Sequence, residues 1–184
     1  ERIFLTDLLR VYEDKLEPVY ACNIASPAEA VHNFTFRTRS TLASEVKFAK
    51  PRVLIPVFPG TNCEYDTAKA FADAGAEPEI FVIRNRSAEE VARSAELFAE
   101  KTANAQIVFI TGGFSGGDEP DGSGKFITAF FRGERVKEEI TRLLEERQGL
   151  MGGICNGFQA LIKLGLVPYG KIIDTDETCP TLTY

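Results

Sequence analysis

Residues 150–165, LMGGICNGFQALIKLG, decide how this chain folds. Leu150 to Ile154 is a short apolar run of the kind that forms a buried strand, and it stops at Cys155. From Asn156 to Leu164 the apolar residues Phe158, Leu161, Ile162 and Leu164 follow helical spacing. Gly153 and Gly157 stand two residues before and after the cysteine. A strand that turns sharply into a helix around one side chain flanked in this way is a nucleophile elbow. Glycine is needed because the turn brings backbone segments too close for a Cβ. The helix sets its N-terminal N–H groups and partial positive charge beside the sulfur, which favours thiolate over thiol. A core cysteine has no need of glycines on both sides of a strand-to-helix junction, so Cys155 is the candidate nucleophile.

Upstream, strand and helix patterns alternate. Strands are expected at 53–58, interrupted by Pro56, at 79–84, and at 106–111, QIVFIT. Thr61 or Asn62 is placed to cap a helix running through Ala68, Phe71 and Ala74 to Gly75. Ser87 with Glu90 forms a capping box opening a helix through Val91, Ala95, Leu97 and Phe98. A longer helix, 134–148, carries Val136, Ile140, Leu143 and Leu144 on one stripe. Short strands, apolar along their length and alternating with helices, predict an α/β fold. Its sheet is open, mostly parallel and doubly wound, with helices on both faces. Ligands of such sheets bind at the carboxyl ends of the strands. The loops 59–63 and 112–124 and the Cys155 turn are therefore expected to meet.

Residues 1–50 look different: an irregular and partly helical N-terminal arm, read as a linker or docking segment ahead of the domain 51–184. Thr6-Asp7 is placed to cap a helix carrying Leu8, Leu9, Val11 and Tyr12, ended by Pro18. Ser26-Pro27-Ala28-Glu29 has the cap, proline and acidic first turn of a second. The composition, 44% hydrophobic and 26% charged over 184 residues, is that of an ordinary globular protein. A net charge of −6 without a basic patch disfavours nucleic acid and anionic membrane as partners. No apolar run approaches the ~20 residues that span a bilayer. The four cysteines, Cys22, Cys63, Cys155 and Cys179, lie too far apart in sequence for a zinc motif or disulfide framework. A reducing cytoplasm is the natural compartment, and no metal site is expected. The chain begins at Glu1, has Met151 as its one methionine, and closes at Tyr184 after a polar stretch. It reads as an internal piece of a longer protein.

The loop GGFSGGDEPDGSGK, residues 112–125, is not a Walker phosphate loop: Glu119 stands where its first glycine belongs, and Phe126 replaces Ser/Thr after Gly124-Lys125. Its outer half, 118–124, reads as surface loop. Gly112-Gly113, leaving a strand tip, can present bare N–H groups toward a neighbouring thiolate. With Cys155 this suggests acyl transfer, in which a tetrahedral oxyanion takes bonds from the N–H groups of Gly113 and Asn156. Gln159, one helical turn beyond Cys155, faces the same pocket. Such a cysteine ordinarily has a histidine base and an orienting acid. The one histidine, His32, sits in the N-terminal arm and reads as a surface residue, so the machinery is incomplete as written.

Together, FPGTNC (58–63), GGFSGGDEPDGSGK (112–125) and GICNGFQALIKLGLVP (153–168) resemble class I glutamine amidotransferase domains of flavodoxin-like fold. The likeness is greatest to the glutaminase portion of the phosphoribosylformylglycinamidine synthases. It implies that Cys155 attacks the side-chain amide of glutamine, forming a glutamyl thioester and releasing ammonia. Gly113 and Asn156 would supply oxyanion donors, while Phe114 and Gln159 would contact glutamine. Ammonia would pass to a synthetase region of the same longer polypeptide, which uses ATP and magnesium to amidate formylglycinamide ribonucleotide in purine biosynthesis. No cofactor is expected in this fragment itself.

The family carries a histidine and an acid well after the cysteine, which this sequence lacks, so the fragment alone is expected to be nearly inactive. Gly116 stands where the family often has a bulkier residue. Two rivals stay open at this point. One is a ThiJ/PfpI-type cysteine enzyme, with Glu64 offered as the acid beside the cysteine. The other is a docking module that keeps the fold without the chemistry.

Overall fold

Arg52–Val57 (β1), RVLIPV, is the inner strand on which the sheet is built. In the computed structural model, which describes residues 2–19, 35, 37–38, 45–114 and 124–182, four strands lie in the order β2-β1-β3-β4. β2 is Glu77–Val82, β3 Ile107–Ile110 and β4 Leu150–Gly153. Every pairing is parallel. The sequence places β2 at 79–84; it begins two residues earlier, because Glu77 N–H already bonds Pro51 C=O. Pro56 has the effect expected of it. The carbonyls of Pro51 and Val57 accept from Glu77 and from Ile83, just past the end of β2, while that of Arg52 accepts from Gln106, so alternate residues face β3. Pro56 shares the parity of Arg52, and the β1–β3 register ends at Leu54↔Val108.

Helices cover both faces. On one lies Glu64–Asp73 (α2), whose Phe71 ring meets Phe109 edge-on at 5.1 Å. On the other lie Ala88–Thr102 (α3), Lys125–Arg132 (α4), Glu134–Thr141 (α5) and Asn156–Leu164 (α6), followed by the short Leu166–Tyr169 (α7). Leu54, Val108 and Ile110 pack on this side with Phe58, Phe98, Ile127, Phe131, Ile140 and Leu164, all essentially inaccessible to water. Phe58 and Phe98 each meet Phe130 edge-to-face, at 5.3 and 5.6 Å. Burying each such ring contributes about 2 kcal/mol, with ~1 kcal/mol more for the pair geometry.

Helix α4 is not anticipated by the sequence reading, which passes from the glycine-rich loop directly to 134. KFITAFFR nonetheless has Ile127, Phe130 and Phe131 on one buried side. The helix expected at 134–148 stops being regular after Thr141 and continues as a wide π-turn, Arg142–Glu146. That turn seats Leu143 against Gly149, whose N–H bonds the Leu143 carbonyl at 2.8 Å. Arg147 secures it, donating to Thr102 C=O, Ala103 C=O and the buried Glu139 carboxylate.

Capping differs in detail. Ser87 accepts from Glu90 N–H as predicted, but the Glu90 carboxylate turns back to Arg86 rather than to Ser87. Leu97 is 38% exposed and stands outside the buried part of α3, unlike Phe98. Neither Thr61 nor Asn62 caps α2; Cys63 does, in the left-handed region with φ 64°.

The chain divides into two compact units, Glu1–Leu42 and Ala43–Tyr184. In the first, Leu5–Glu13 (α1) runs into a 3₁₀ turn, Asp14–Leu16. Its N-cap is Phe4, with no side-chain bond, so Thr6 and Asp7 lie inside the first turn rather than capping it. Leu5, Leu8, Leu9, Val11 and Tyr12 are all exposed. The second helix expected from Ser26, together with Cys22, His32 and Gly116, lies outside the described residues. Among the described residues no helix is long and apolar enough to cross a membrane.

Candidate active site

β4 ends at Gly153, and Ile154 N–H still reaches Ile110 C=O at 3.1 Å, so the sheet carries the chain up to Cys155. There φ is 54° and ψ −115°, and α6 starts at the next residue. Gly157 N–H bonds Ile154 C=O at 2.9 Å across the turn. These angles put Cys155 at the first central position of a type II′ turn, which glycine ordinarily fills. Holding a side-chain-bearing residue there costs about 1–3 kcal/mol. The neighbouring glycines hold it in place. A Cβ on Gly153 would sit 2.8 Å from the Gly157 carbonyl carbon, and one on Gly157 only 2.3 Å from Ile110 O. The elbow spacing read from the sequence is therefore a packing requirement: β3, β4 and α6 approach at backbone distance.

The three loops expected to meet do so within the described residues. Gly112 lies against the cysteine, since a Cβ there would be 3.1 Å from Cys155 Cβ and 3.8 Å from its Sγ. Gly113 pairs with Thr61 in an antiparallel bridge. The bridge is made by Asn62 N–H to Gly112 C=O at 3.0 Å and Phe114 N–H to Gly60 C=O at 2.8 Å. Neither bond uses Gly113's own N–H. Gly113 has φ 115°, and a Cβ on it would come within 2.3 Å of Gly60 O, so no other residue fits this approach. Asn156 is buried, opening α6, whereas Cys155 is exposed. Gln159 is half-buried in the first turn of α6, its N–H on Cys155 C=O at 2.9 Å. Phe114 is 68% exposed, so its ring is open to a ligand rather than built into the core. Glu64, the acid a ThiJ/PfpI enzyme would need, opens α2.

The sequence reading takes Thr61 only as a possible cap and misses its actual part. Its hydroxyl accepts from Phe58 N–H at 2.9 Å and donates to Phe58 C=O at 2.8 Å. A Thr three residues after a strand-ending Phe, behind Pro-Gly, is the signal that was available.

A parallel sheet ending in a cysteine elbow beside a Gly-Gly strand tip defines a class of α/β domain, and residues 50–184 make the family plain: the chain belongs to the CobB/CobQ-like glutamine amidotransferase domains. It is similar to the phosphoribosylformylglycinamidine synthase subunit PurQ of Dehalococcoides mccartyi, 40% identical over 65% of this chain and 42% of that one. The subunit of the same name from Methanococcus maripaludis is 36% identical over 70% of this chain and 44% of its own length. The solved structure of PurLQS from Thermotoga maritima is 31% identical, covering 64% of this chain and 45% of that one, with a TM-score of 0.44. The chain thus spans less than half the length of the relatives it matches. The family match and the two PurQ likenesses favour neither the ThiJ/PfpI reading nor the non-catalytic one.

Proposed function

We propose that this chain is the glutaminase part of a phosphoribosylformylglycinamidine synthase, with Cys155 as its nucleophile. The observation that carries the reading is Cys155 held at the glycine position of the II′ turn, exposed, beside Gly112-Gly113. The thiolate attacks the side-chain carbonyl carbon of glutamine, forming a C–S bond. The charge that develops on the carbonyl oxygen takes hydrogen bonds from the N–H groups of Gly113 and Asn156. Each such donor contributes about 3 kcal/mol to the transition state. Collapse breaks the C–N bond, and ammonia leaves with a proton from a general acid. Water then hydrolyses the glutamyl thioester to glutamate. Phe114 and Gln159 contact the bound glutamine.

Ammonia passes to a synthetase region, on the same longer polypeptide or on a partner subunit, where ATP and magnesium serve the amidation of formylglycinamide ribonucleotide. The PurQ relatives, named as subunits of that synthase, support this assignment. Residues 1–50 act as the linker or docking arm, and the protein works in the cytoplasm. The chain's one histidine, His32, lies outside the described residues, and we expect turnover of glutamine by this chain alone to be well below the ~1 per second of ordinary enzymes.

The test is alkylation near neutral pH with limiting iodoacetamide, followed by mapping of the modified cysteines. Cys155 is expected to react ahead of Cys22, Cys63 and Cys179 and to be protected by glutamine but not by glutamate. Rapid reaction without protection by glutamine would sink the glutaminase reading.

A further inference from the structure

We infer that Thr61 is a positioning residue that aims the Gly113 N–H at the oxyanion, an inference that rests on the glutaminase reading above. In an antiparallel ladder, residues of a non-hydrogen-bonded pair direct their own N–H and C=O groups away from each other's strand. The Thr61↔Gly113 bridge is of this kind, because its two bonds run through Asn62–Gly112 and Phe114–Gly60. Gly113's N–H therefore points away from the loop that follows β1. The strand order puts β3 between β1 and β4, so that direction is the side on which β4 delivers Cys155. A peptide at φ 115° is not held there by its own preferences; the loop bonded to both of its neighbours sets its plane.

Thr61 makes that loop rigid. Its hydroxyl closes on both the N–H and the C=O of Phe58, at 2.9 and 2.8 Å, and its own N–H bonds the same carbonyl at 3.0 Å. Phe58 is 2% exposed and locked among Phe126, Phe130 and Phe131. The oxyanion donor is thus referenced to the aromatic core through Thr61, whose hydroxyl supplies two of its three bonds to Phe58. Valine keeps the shape of threonine and removes both hydroxyl bonds; serine keeps the bonds.

The experiment compares two reactions of Cys155 in the full 184-residue chain. With the γ-(4-nitrophenyl) ester of glutamate, the thiolate forms a C–S bond at the ester carbonyl, the C–O bond breaks, and 4-nitrophenolate leaves with the electron pair. That step builds an oxyanion and needs no acid for the leaving group. Iodoacetamide alkylation displaces iodide and builds none. Thr61→Val is expected to lower the stoichiometric nitrophenolate burst rate about tenfold, as for a displaced rather than deleted donor, while alkylation stays within about twofold. Thr61→Ser restores the burst. Asn62→Pro, which deletes one bridge N–H and leaves the Thr61 hydroxyl, lowers the same ratio and serves if the valine variant does not fold. Equal losses in both reactions, or no loss in either, would overturn the positioning role. A wild-type chain that alkylates at Cys155 yet gives no burst overturns the glutaminase reading, and this inference falls with it.

Discussion

Replacing Gly157 by alanine tests whether the elbow is a packing constraint. Alanine in a helix is favoured over glycine by about 1 kcal/mol, so propensity alone predicts a more stable protein. Against this stands the position of the new Cβ: 2.3 Å from Ile110 O and 2.9 Å from both Ile110 C and Thr111 O. The closest approach is about 1 Å inside the optimal contact distance. All three atoms are backbone at the tip of β3, which cannot rotate away as a side chain would. We therefore take the upper end of overpacking costs, about 3 kcal/mol, leaving a net loss of about 2 kcal/mol. For a chain of this length that lowers Tm by about 4–8 °C. Gly75→Ala is the companion variant. Its φ is 91° with no atom within 4 Å of the added Cβ, so it isolates the cost of left-handed backbone, about 1–2 kcal/mol. Thermal unfolding followed by circular dichroism reads both. Cysteine mapping separates them, because only Gly157→Ala should abolish the preference for Cys155 over Cys63 and Cys179. A Gly157→Ala protein as stable as wild type, with Cys155 still reacting first, would show that β3 and α6 yield freely and would refute the argument.

Other consequences are quicker to check. Arg147→Ala removes the bonds to Thr102 and Ala103 and the 2.9 Å partner of the buried Glu139, which keeps Arg135 and Arg142 within 4 Å; a loss of about 2 kcal/mol is expected from urea unfolding. Ser87→Ala deletes the α3 cap, and the same measurement should show about 1 kcal/mol. Hydrogen bonding from Arg86 holds the Glu90 carboxyl below its ordinary 4.5. A depressed carboxyl contributes stability above its unfolded pKa and loses it as pH falls through the folded one. The Tm difference between wild type and Glu90→Gln should accordingly be largest near neutrality and vanish in acid, and a difference that grew in acid would reverse the assignment. Cys155→Ser should eliminate glutamine-protected labelling while leaving the mapping of Cys63 and Cys179 unchanged.

Local chemistry was written openly in the sequence. Alternating apolar runs gave the parallel sheet because a strand buried on both faces admits few polar residues. Gly153 and Gly157 gave the elbow around Cys155 because backbone-distance packing at those two positions excludes a Cβ, and the constraint falls on neighbours in the chain. Pro56 marked its own gap in the ladder for the same local reason. What the sequence did not disclose was decided by partners far apart along it. Helix α4 lies in a stretch that the sequence reading leaves unassigned between the glycine-rich loop and 134, and exists because Ile127, Phe130 and Phe131 find Phe58 and Phe98 across the core. Arg147 gains its partners only when the fold brings it the carbonyls that end α3. Thr61 reads as a helix cap, and only the adjacency of β1 and β3 makes it the brace of Gly113. A residue's backbone preference is its own property, whereas the group it bonds to is set by strand order, which no local pattern encodes.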